Sequence, residues 1–269
     1  MNAKRGFHAR DYVAALREHY PDLFSAENVS KSDSDFHIGF IKLFLDNIDA
    51  LGVDSPRRFQ NLRERSFAMN HNVWADLTPR VRDFEKYPAI SYKGLLLLKP
   101  AVDLMLYSNL IWELQPKTIL EFGPLQGGSS LWFADQLELS GQPSEIHSFE
   151  YFTKGIHPDA SHPRLTFHFA DLRDPSTLDR ELLARLPHPW LVVDDAHENL
   201  EQLIPLISSF MEPGDYYVLE DIFSQGAQLE HIEKAARLCD ALGFKIDSKY
   251  ADAFGYNTTT SPNGWWRKS

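Results

Sequence analysis

The hydrophobic and polar residues follow different patterns in the two parts of the chain. From Ala9 to Glu85 apolar residues recur at helical spacing, as in Asp11 to Tyr20 and His37 to Leu51, and no strand-like run is evident. We therefore predict a helical N-terminal segment or cap over residues 1–88 and a second domain over residues 89–269.

In the second domain, short runs of β-branched and aromatic residues alternate with amphipathic stretches. The short runs predict strands at Thr118–Phe122, Ile146–Tyr151, Leu165–Ala170, Trp190–Asp194 and Tyr216–Glu220. The amphipathic stretches predict helices at Ala101–Leu114, Ser129–Leu139, Pro175–Leu186, Glu198–Met211 and Gln228–Leu242. Because neighbouring parallel strands need crossover helices, this alternation predicts a Rossmann-like α/β fold with a doubly wound, mostly parallel sheet.

The C-terminal tail departs from strict alternation. Phe244–Ala253 and Gly264–Lys268 predict two strands that are joined by a loop rich in Thr, Ser, Asn and Gly. A terminal antiparallel hairpin of this kind is typical of methyltransferases, which add it to a Rossmann-like sheet.

The charge of the chain argues against polyanionic partners. The chain has 38 acidic and 27 basic side chains, a formal net charge of −11 and no basic stripe. Such a surface repels nucleic acid and anionic membranes, so the expected partner is a small molecule. The sequence leaves open whether the protein is a homo-oligomer.

Three features indicate a cytoplasmic protein. Cys239 is the single cysteine, which excludes an intrachain disulfide and a thiolate zinc cluster. The first ten residues carry charges where a secretory signal has its apolar stretch. The most apolar region, Leu95 to Leu114, is interrupted by Lys99, Pro100 and Asp103 and is therefore not expected to span a membrane.

A glycine-rich turn is the strongest local motif. The first predicted strand ends in Glu121-Phe122-Gly123, and Gly127-Gly128-Ser129 then begins a helix. Glycine allows the backbone to approach a ligand closely, and a helix N-terminus offers unpaired N–H groups. Leu125 replaces the second glycine of the dinucleotide motif, and the acidic Glu121 suits a cofactor with an ammonium group better than one with phosphates.

Acidic residues also end the next two predicted strands. Glu150 occupies the position where Rossmann-like folds bind ribose hydroxyls, and Asp171 the position where methyltransferases commonly bind the adenine amino group. Taken alone, each is better explained as a solvated strand-end carboxylate or a helix cap. In this order they predict an S-adenosylmethionine site formed by Glu121, Gly123, Gly127, Gly128, Ser129, Glu150 and Asp171.

The fourth and fifth predicted strands end in Asp194-Asp195-Ala196-His197 and in Glu220-Asp221. Both ends are expected at the same crevice, where up to four carboxylates would repel one another without a cation or protons. Oxygen ligands of this kind suit magnesium or another divalent cation. The alternative is that some of these acids cap turns or face solvent.

Several motifs resemble the cephalosporin hydroxylase and rhamnosyl O-methyltransferase family, over about Tyr92 to Lys268. They are Lys99-Pro100-x-x-Asp103, Leu110-Ile111-Trp112-Glu113, Pro116, Ile119 to Gly123, Gly127-Gly128-Ser129, Asp194-x-x-His197, Glu220-Asp221 and Pro262-Asn263-Gly264. The resemblance implies a class I methyltransferase fold, S-adenosylmethionine, and a magnesium ion that is held by Asp194, Glu220 and Asp221. The chain departs from the family pattern at Phe122, Pro124 and Ala196.

We therefore expect O-methylation of a small hydroxylated acceptor, natural-product or sugar-like. His197 lies at the offset from Asp194 at which catechol O-methyltransferases place a lysine base, and an imidazole can accept a hydroxyl proton at neutral pH. The alternative for a single histidine is a hydrogen-bonded structural residue, here at the start of the helix Glu198–Met211. The alternatives are an iron and 2-oxoglutarate oxygenase, suggested by His157-Pro158-Asp159, a nicotinamide dehydrogenase, and a non-catalytic nucleoside-binding module.

Overall fold

The computed structural model describes four parts of the chain: residues 58–70, Val73, 91–222 and 227–269. At 227–232 it describes the backbone alone. The chain divides into two compact units, Met1–Phe59 and Gln60–Ser269. The predicted helices at Asp11–Tyr20 and His37–Leu51 lie outside the described residues. The N-terminal segment 1–88 therefore stays a prediction, as does its boundary.

The described residues form the following elements. The strands are β1 Phe59–Gln60, β2 Ser91–Tyr92, β3 Leu95–Leu96, β4 Thr118–Phe122, β5 Glu145–Glu150, β6 Leu165–Phe169, β7 Trp190–Asp194, β8 Tyr216–Leu219, β9 Phe244–Asp247 and β10 Trp265–Lys268. The α-helices are α1 Ala101–Leu114, α2 Gly128–Leu139, α3 Arg180–Leu183, α4 Leu200–Ser208, α5 Ala227–Ala241 and α6 Ser248–Ala251. Turns of 3₁₀-helix lie at Leu62–Glu64, Thr153–Gly155 and Pro175–Thr177. In the part of the chain that is described, no helix is long and apolar enough to cross a bilayer.

Seven strands of the main sheet run in the order β9-β10-β8-β7-β4-β5-β6. β4 is parallel to both β5 and β7, and β6 and β8 extend the parallel part on the two sides. β10 is antiparallel to both β8 and β9. The predicted Rossmann-like α/β fold and its C-terminal antiparallel hairpin are therefore confirmed.

The strand order creates a crevice at the carboxyl end of β4. The chain leaves β4 toward β5 and β6 on one side and returns to β7 on the other side. Phe122 at the end of β4 is in register with Phe149 of β5 and Asp194 of β7. Ligands of doubly wound sheets bind at such a switch point.

The core lies on both faces of the central strands. Every residue of β4, β7 and β8 is buried, as expected for parallel strands that are covered by helices on both sides. Trp265 and Trp266 of β10 are fully buried as well. These aromatic residues of the tail therefore belong to the core.

Two predicted elements are interrupted by aspartate side chains that cap new turns. In place of a helix at Pro175–Leu186, the carboxylates of Asp174 and Asp179 cap a 3₁₀ turn and the short α3 separately. The strand predicted at Phe244–Ala253 ends at Asp247, whose carboxylate accepts a hydrogen bond from the backbone of Lys249 at 3.0 Å. Local capping by Asp competes with regular structure and was not evident from the apolar pattern.

Candidate active site

The turn after β4 needs glycine at two positions. Gly123 has φ +83°, and a Cβ atom there would lie 3.0 Å from the backbone nitrogen of Ala196. Gly127, the N-cap of α2, has φ +90°, and a Cβ atom there would lie 2.7 Å from the Cβ of Ala160. Positive φ and close approach both favour glycine, so the predicted motif is a tight strand-to-helix connection.

Gly128, the first residue of α2, packs against protein. A Cβ atom at Gly128 would lie 2.1 Å from the carbonyl oxygen of Leu96 in β3. Among the described residues that line the two cavities presented below, neither Gly127 nor Gly128 occurs. Their packing role is therefore visible, whereas their contact with a cofactor stays a prediction.

The carboxylate of Glu121 fastens this turn from within. It is buried and accepts hydrogen bonds from the hydroxyls of Ser129 at 2.5 Å, Ser148 at 2.8 Å and Ser130. Ser129 and Ser130 lie in the first turn of α2, and Ser148 lies on β5. One carboxylate thus joins three elements and positions Ser129, and its predicted contact with the cofactor remains a prediction.

Two cavities open at the carboxyl ends of the strands and share Gly123, Leu125 and Asp195. The β5–β6 cavity has a volume of about 340 Å³, and its further lining includes Glu150, Tyr151, Asp171, Arg173 and Glu198. The β3–α1 cavity has a volume of about 330 Å³, and its further lining is formed by residues 96–99, Pro124, Ser129 and Asp221. Both volumes suit parts of a small molecule.

The predicted ribose and adenine ligands both line the β5–β6 cavity. One oxygen of Glu150 accepts a hydrogen bond from the backbone of Phe152 at 2.9 Å. Asp171 binds the guanidinium of Arg173 through both oxygens, at 2.7 and 2.8 Å, and these hydrogen bonds lower the pKa of Asp171. The guanidinium also lies over the ring of Tyr151, 4.5 Å from its centroid. Arg173 and Tyr151 are thus further residues of this cavity that the sequence analysis did not identify.

Asp194 is fully buried, and both of its oxygens are used inside the protein. One oxygen accepts the hydroxyl hydrogen of Tyr217, and the other accepts the backbone N–H groups of Ala196 and His197 at 3.3 Å each. Burial raises the pKa of Asp194. This carboxylate closes the turn after β7.

Glu220 is also buried and is held by two donors. Its oxygens accept hydrogen bonds from the hydroxyl of Tyr107 at 2.5 Å and from the ammonium of Lys99. Burial raises the pKa of Glu220 to about 7, although Lys99 lowers it in part. Lys99 also lies 3.0 Å from Asp195. Burial alone would lower the pKa of Lys99, but the two carboxylates outweigh it and raise the pKa above its usual value.

The acidic cluster consists of Asp195, which lines both cavities, Asp221, which lines the β3–α1 cavity, and His197 beside them. One potential ligand atom of each lies within 4.8 Å of the others. The Nε2 atom of His197 is buried and has no hydrogen-bond partner among the residues that the structure describes. Burial, followed by the negative charges of Asp195 and Glu220, raises the pKa of Asp221 to about 9.

The backbone after β7 and β8 places these side chains. His197 has φ +55° and Asp221 has φ +53°, in the left-handed region that non-glycine residues seldom adopt. Such strained residues are concentrated at functional sites. The structure thus groups Asp221 with Asp195 and His197, whereas Asp194 and Glu220 of the predicted ligand set are bonded to protein donors.

Lys99 and Asp103 of the Lys99-Pro100-x-x-Asp103 motif have contacts in the structure that the sequence did not predict. The carboxylate of Asp103 is buried and accepts hydrogen bonds from Thr259 at 2.7 Å and from the backbone and hydroxyl of Thr260. It therefore ties the first turn of α1 to the C-terminal loop. Lys99 precedes that turn and enters the site.

The Pro262-Asn263-Gly264 motif packs against the end of β8, beside the acidic residues of the site. A Cβ atom at Gly264 would lie 2.4 Å from the carbonyl oxygen of Leu219, at the end of β8. The side chain of Asn263 accepts a hydrogen bond from Arg65 at 2.5 Å. This motif therefore holds the strand end that carries Glu220 and Asp221.

Comparison with known proteins decides the family. Residues 86–269 match the model of the family described as Rhamnosyl O-methyltransferase/CmcI. The chain belongs to this family. The predicted resemblance is thus confirmed, and with it the class of S-adenosylmethionine-dependent methyltransferases.

Members of the Rhamnosyl O-methyltransferase/CmcI family in mycobacteria show the extent of the similarity. A rhamnosyl O-methyltransferase of Mycobacterium leprae is 29% identical over 140 residues, which are 49% of this chain and 59% of that protein. A rhamnosyl O-methyltransferase of Mycobacterium tuberculosis is 27% identical over 190 residues, which are 65% of this chain and 76% of that protein.

Solved structures of CmcI agree with the fold. A structure described as CmcI with Mg and SAM has a TM-score of 0.59 and 25% identity, and covers 70% of this chain and 84% of that chain. A CmcI structure described as apo has a TM-score of 0.58 and 24% identity, with 70% and 83% coverage.

Membership of the Rhamnosyl O-methyltransferase/CmcI family also decides between the alternatives. The described strands form a Rossmann-like sheet, which is not the double-stranded β-helix of iron and 2-oxoglutarate oxygenases. In the His157-Pro158-Asp159 sequence, the imidazole of His157 accepts a hydrogen bond from the backbone of Asp159 at 3.2 Å. A methyltransferase family likewise disfavours the dehydrogenase and the non-catalytic module.

Proposed function

We propose that the protein transfers the methyl group of S-adenosylmethionine to a hydroxyl of a small acceptor, with the help of a divalent cation such as magnesium. The observation that carries this proposal is the meeting of the two cavities at Gly123, Leu125 and Asp195. A cofactor bound in one cavity would place its reactive methyl group at these shared residues, beside the acidic cluster. A CmcI structure that is described as holding Mg and SAM supports the pair of cofactors.

In this proposal the adenosine part lies in the β5–β6 cavity. Glu150 accepts hydrogen bonds from the ribose hydroxyls, and Asp171 with Arg173 and Tyr151 borders the base. The amino-acid end passes Gly123 and Ser129 toward the β3–α1 cavity, whose lining contains both residues. This placement uses the residues predicted from the sequence and follows their order on successive strand ends.

The cluster fits a divalent cation. At an effective dielectric of 20, two carboxylates about 4 Å apart repel by roughly 4 kcal/mol, which a cation would relieve. Burial first, and then the negative charges of Asp195 and Glu220, raise the pKa of Asp221. Both oxygens of Asp194 and both oxygens of Glu220 accept hydrogen bonds from protein donors, whereas Lys99 contacts one oxygen of Asp195, so we assign Asp195 and Asp221 as the principal ligands. A cation bound there would act as a Lewis acid that orients the acceptor and makes its hydroxyl more acidic.

His197 is the base in this proposal. Its buried Nε2 atom has no hydrogen-bond partner in the described part of the chain, and the ring lies in the same cluster as the two carboxylates. A nitrogen in this state can accept the proton of an acceptor hydroxyl while the oxygen attacks the methyl group. Magnesium prefers oxygen ligands, which leaves the imidazole free for this role.

The β3–α1 cavity suits a neutral, hydroxylated acceptor. Its wall is apolar at residues 96–98, Pro124 and Leu125, and its charged edge is formed by Asp195 and Asp221. Lys99 is engaged by carboxylates, so an anionic acceptor would meet net negative charge. A sugar or natural product with hydroxyl groups fits, in line with relatives named rhamnosyl O-methyltransferases.

We expect the reaction to take place in the cytoplasm, where the free Cys239 stays reduced.

Calorimetry with S-adenosylhomocysteine tests the cofactor site. We expect binding to the wild type, and a dissociation constant about tenfold or more higher for Glu150→Gln, because charge-assisted hydrogen bonds to ribose are lost. Glu145→Gln, at the exposed start of the same strand, is the matched control and should bind normally. Binding of NADH without binding of S-adenosylhomocysteine would refute the proposal.

Turnover tests the reaction itself. Release of S-adenosylhomocysteine is measured with a set of sugar diols and catechols, before and after removal of divalent cations by EDTA. We expect turnover that depends on the acceptor and is restored by magnesium. Full turnover in excess EDTA would remove the cation from the proposed reaction while leaving methyl transfer in place.

A further inference from the structure

Lys99 is a buried cation that contacts two carboxylates. Its side chain is 4% exposed, and its ammonium lies 3.0 Å from Asp195 and forms a hydrogen bond with Glu220. Asp221 follows Glu220 directly and belongs to the acidic cluster. Among the described residues that line the β3–α1 cavity, Lys99 is the only basic one.

The position of this ammonium is fixed by the fold. Lys99 precedes Pro100, the N-cap of α1, and the first turn of α1 is held to the C-terminal loop by Asp103. On the other side, Tyr107 of α1 donates to the second oxygen of Glu220 at 2.5 Å. Both donors to Glu220 therefore come from one rigid segment.

We propose that Lys99 is a positioning residue whose ammonium acts as a fixed counter-charge, holding Asp195 and Glu220 in place before a divalent cation binds. The inference rests on the proposed function, since it concerns the same cation. In this arrangement Glu220 pairs with Lys99, and Asp195 and Asp221 are the ligands of the divalent cation. A protein with Lys99 should therefore keep a folded site without metal, whereas a protein without Lys99 should need the metal as its counter-charge.

The first experiment measures the midpoint of thermal unfolding in EDTA and in millimolar magnesium. Removing one partner of a buried ion pair is strongly destabilising, so Lys99→Met should unfold about 5–15 °C below the wild type in EDTA. Magnesium should raise the midpoint of Lys99→Met by clearly more than it raises that of the wild type. Lys99→Arg, which keeps the charge, should behave more like the wild type.

Lys93→Met is the matched control. Lys93 also pairs with a carboxylate, that of Asp135 at 2.6 Å, but its side chain is 55% exposed. Exposed pairs contribute little, so Lys93→Met should leave the unfolding midpoint and its response to magnesium nearly unchanged. An equal response to magnesium in Lys99→Met and the wild type would overturn the inference. The charge of the lost ammonium would then be compensated by protonation of a carboxylate and not by the metal.

A second pair of variants keeps the inference testable if Lys99→Met does not fold. Glu220→Gln and Asp221→Asn make the same change of charge at neighbouring positions. Calorimetry with magnesium chloride should give a dissociation constant within about threefold of the wild type for Glu220→Gln and at least tenfold higher for Asp221→Asn. A loss of binding in Glu220→Gln that equals the loss in Asp221→Asn would make Glu220 a ligand and refute the assignment. If the wild type itself binds no magnesium, the cation in the proposed function fails instead.

Discussion

The hydroxyl of Tyr217 donates a hydrogen bond to Asp194, and both side chains are fully buried. Tyr217 lies on β8 and Asp194 ends β7, so this bond joins two neighbouring strands at the edge of the crevice. The last residue of β7 thus belongs to the core, and the next residue, Asp195, is the one that reaches the cavities.

Replacing Asp194 and Asp195 separately should distinguish an effect on the free energy of unfolding from an effect on magnesium binding. Asp194→Asn weakens the bond to Tyr217 in a buried place, so the free energy of unfolding should fall by about 1–3 kcal/mol while magnesium still binds. Asp195→Asn should instead weaken magnesium binding at least tenfold with a smaller loss of stability, since the side chain of Asp195 is 28% exposed and Lys99 keeps its bond to Glu220. Urea unfolding and calorimetry measure the two effects. If Asp194→Asn weakened magnesium binding and Asp195→Asn did not, Asp194 would be a ligand of the cation.

The strands of the site were predictable because burial on both faces leaves a strong signal. β4 and β7 coincide with the predicted Thr118–Phe122 and Trp190–Asp194, whose residues are all buried. The acids that follow these strands were therefore placed at the correct edge of the sheet. The order of strand ends also placed Glu150 and Asp171 at one cavity.

The choice between adjacent acids was not predictable from the sequence. A turn with positive φ at His197 and Asp221 decides which carboxylate faces the crevice, and no residue of the pattern indicates that conformation. The contribution of Lys99 was hidden for another reason. Its partner Glu220 lies 121 positions further along the chain, and a lysine after four leucines looks like a helix boundary.

Asp103 should make the stability of the fold depend on pH. Burial raises its pKa from 3.8 to about 6, against the opposing effect of its hydrogen bonds. The folded chain therefore keeps a proton that the unfolded chain releases above pH 3.8. By linkage, this stabilising contribution is complete below pH 3.8 and is lost as the pH rises through about 6.

Asp103→Asn should remove this dependence. The difference in unfolding free energy between wild type and variant should change by about 1–3 kcal/mol from pH 4 to pH 6.5, as followed by urea unfolding. Asp159→Asn is a suitable control, because the side chain of Asp159 is 82% exposed. A constant difference between wild type and Asp103→Asn would show that Asp103 is ionised throughout this range.

Gly128 should be required for packing and not only for a ligand. Gly128→Ala directs a Cβ atom to 2.1 Å from the backbone of Leu96, which cannot move as a flexible side chain can. We expect a loss of about 2–3 kcal/mol in stability without any cofactor present. Gly141→Ala, where the Cβ meets no atom within 4 Å, should lose only about 1 kcal/mol through its φ of +65°. Equal losses in urea unfolding would contradict the contact with Leu96.

The role of His197 as the base requires a variant that does not disturb the backbone. His197 has φ +55°, so alanine there would add backbone strain, whereas asparagine adopts the left-handed region readily. His197→Asn should therefore preserve the fold and the affinity for S-adenosylhomocysteine while lowering turnover by about 10²–10⁴-fold.

The pH profile distinguishes a base from a merely structural histidine. An imidazole accepts a proton only in its neutral form, so the wild-type rate should fall on the acid side, and this limb should be absent from the residual rate of His197→Asn. His197→Ala should show the same loss of the limb together with a lower unfolding midpoint, which separates strain from chemistry. If His197→Asn keeps most of the rate and the acid limb, the proton leaves to another group, and the Nε2 atom of His197 has no part in the reaction.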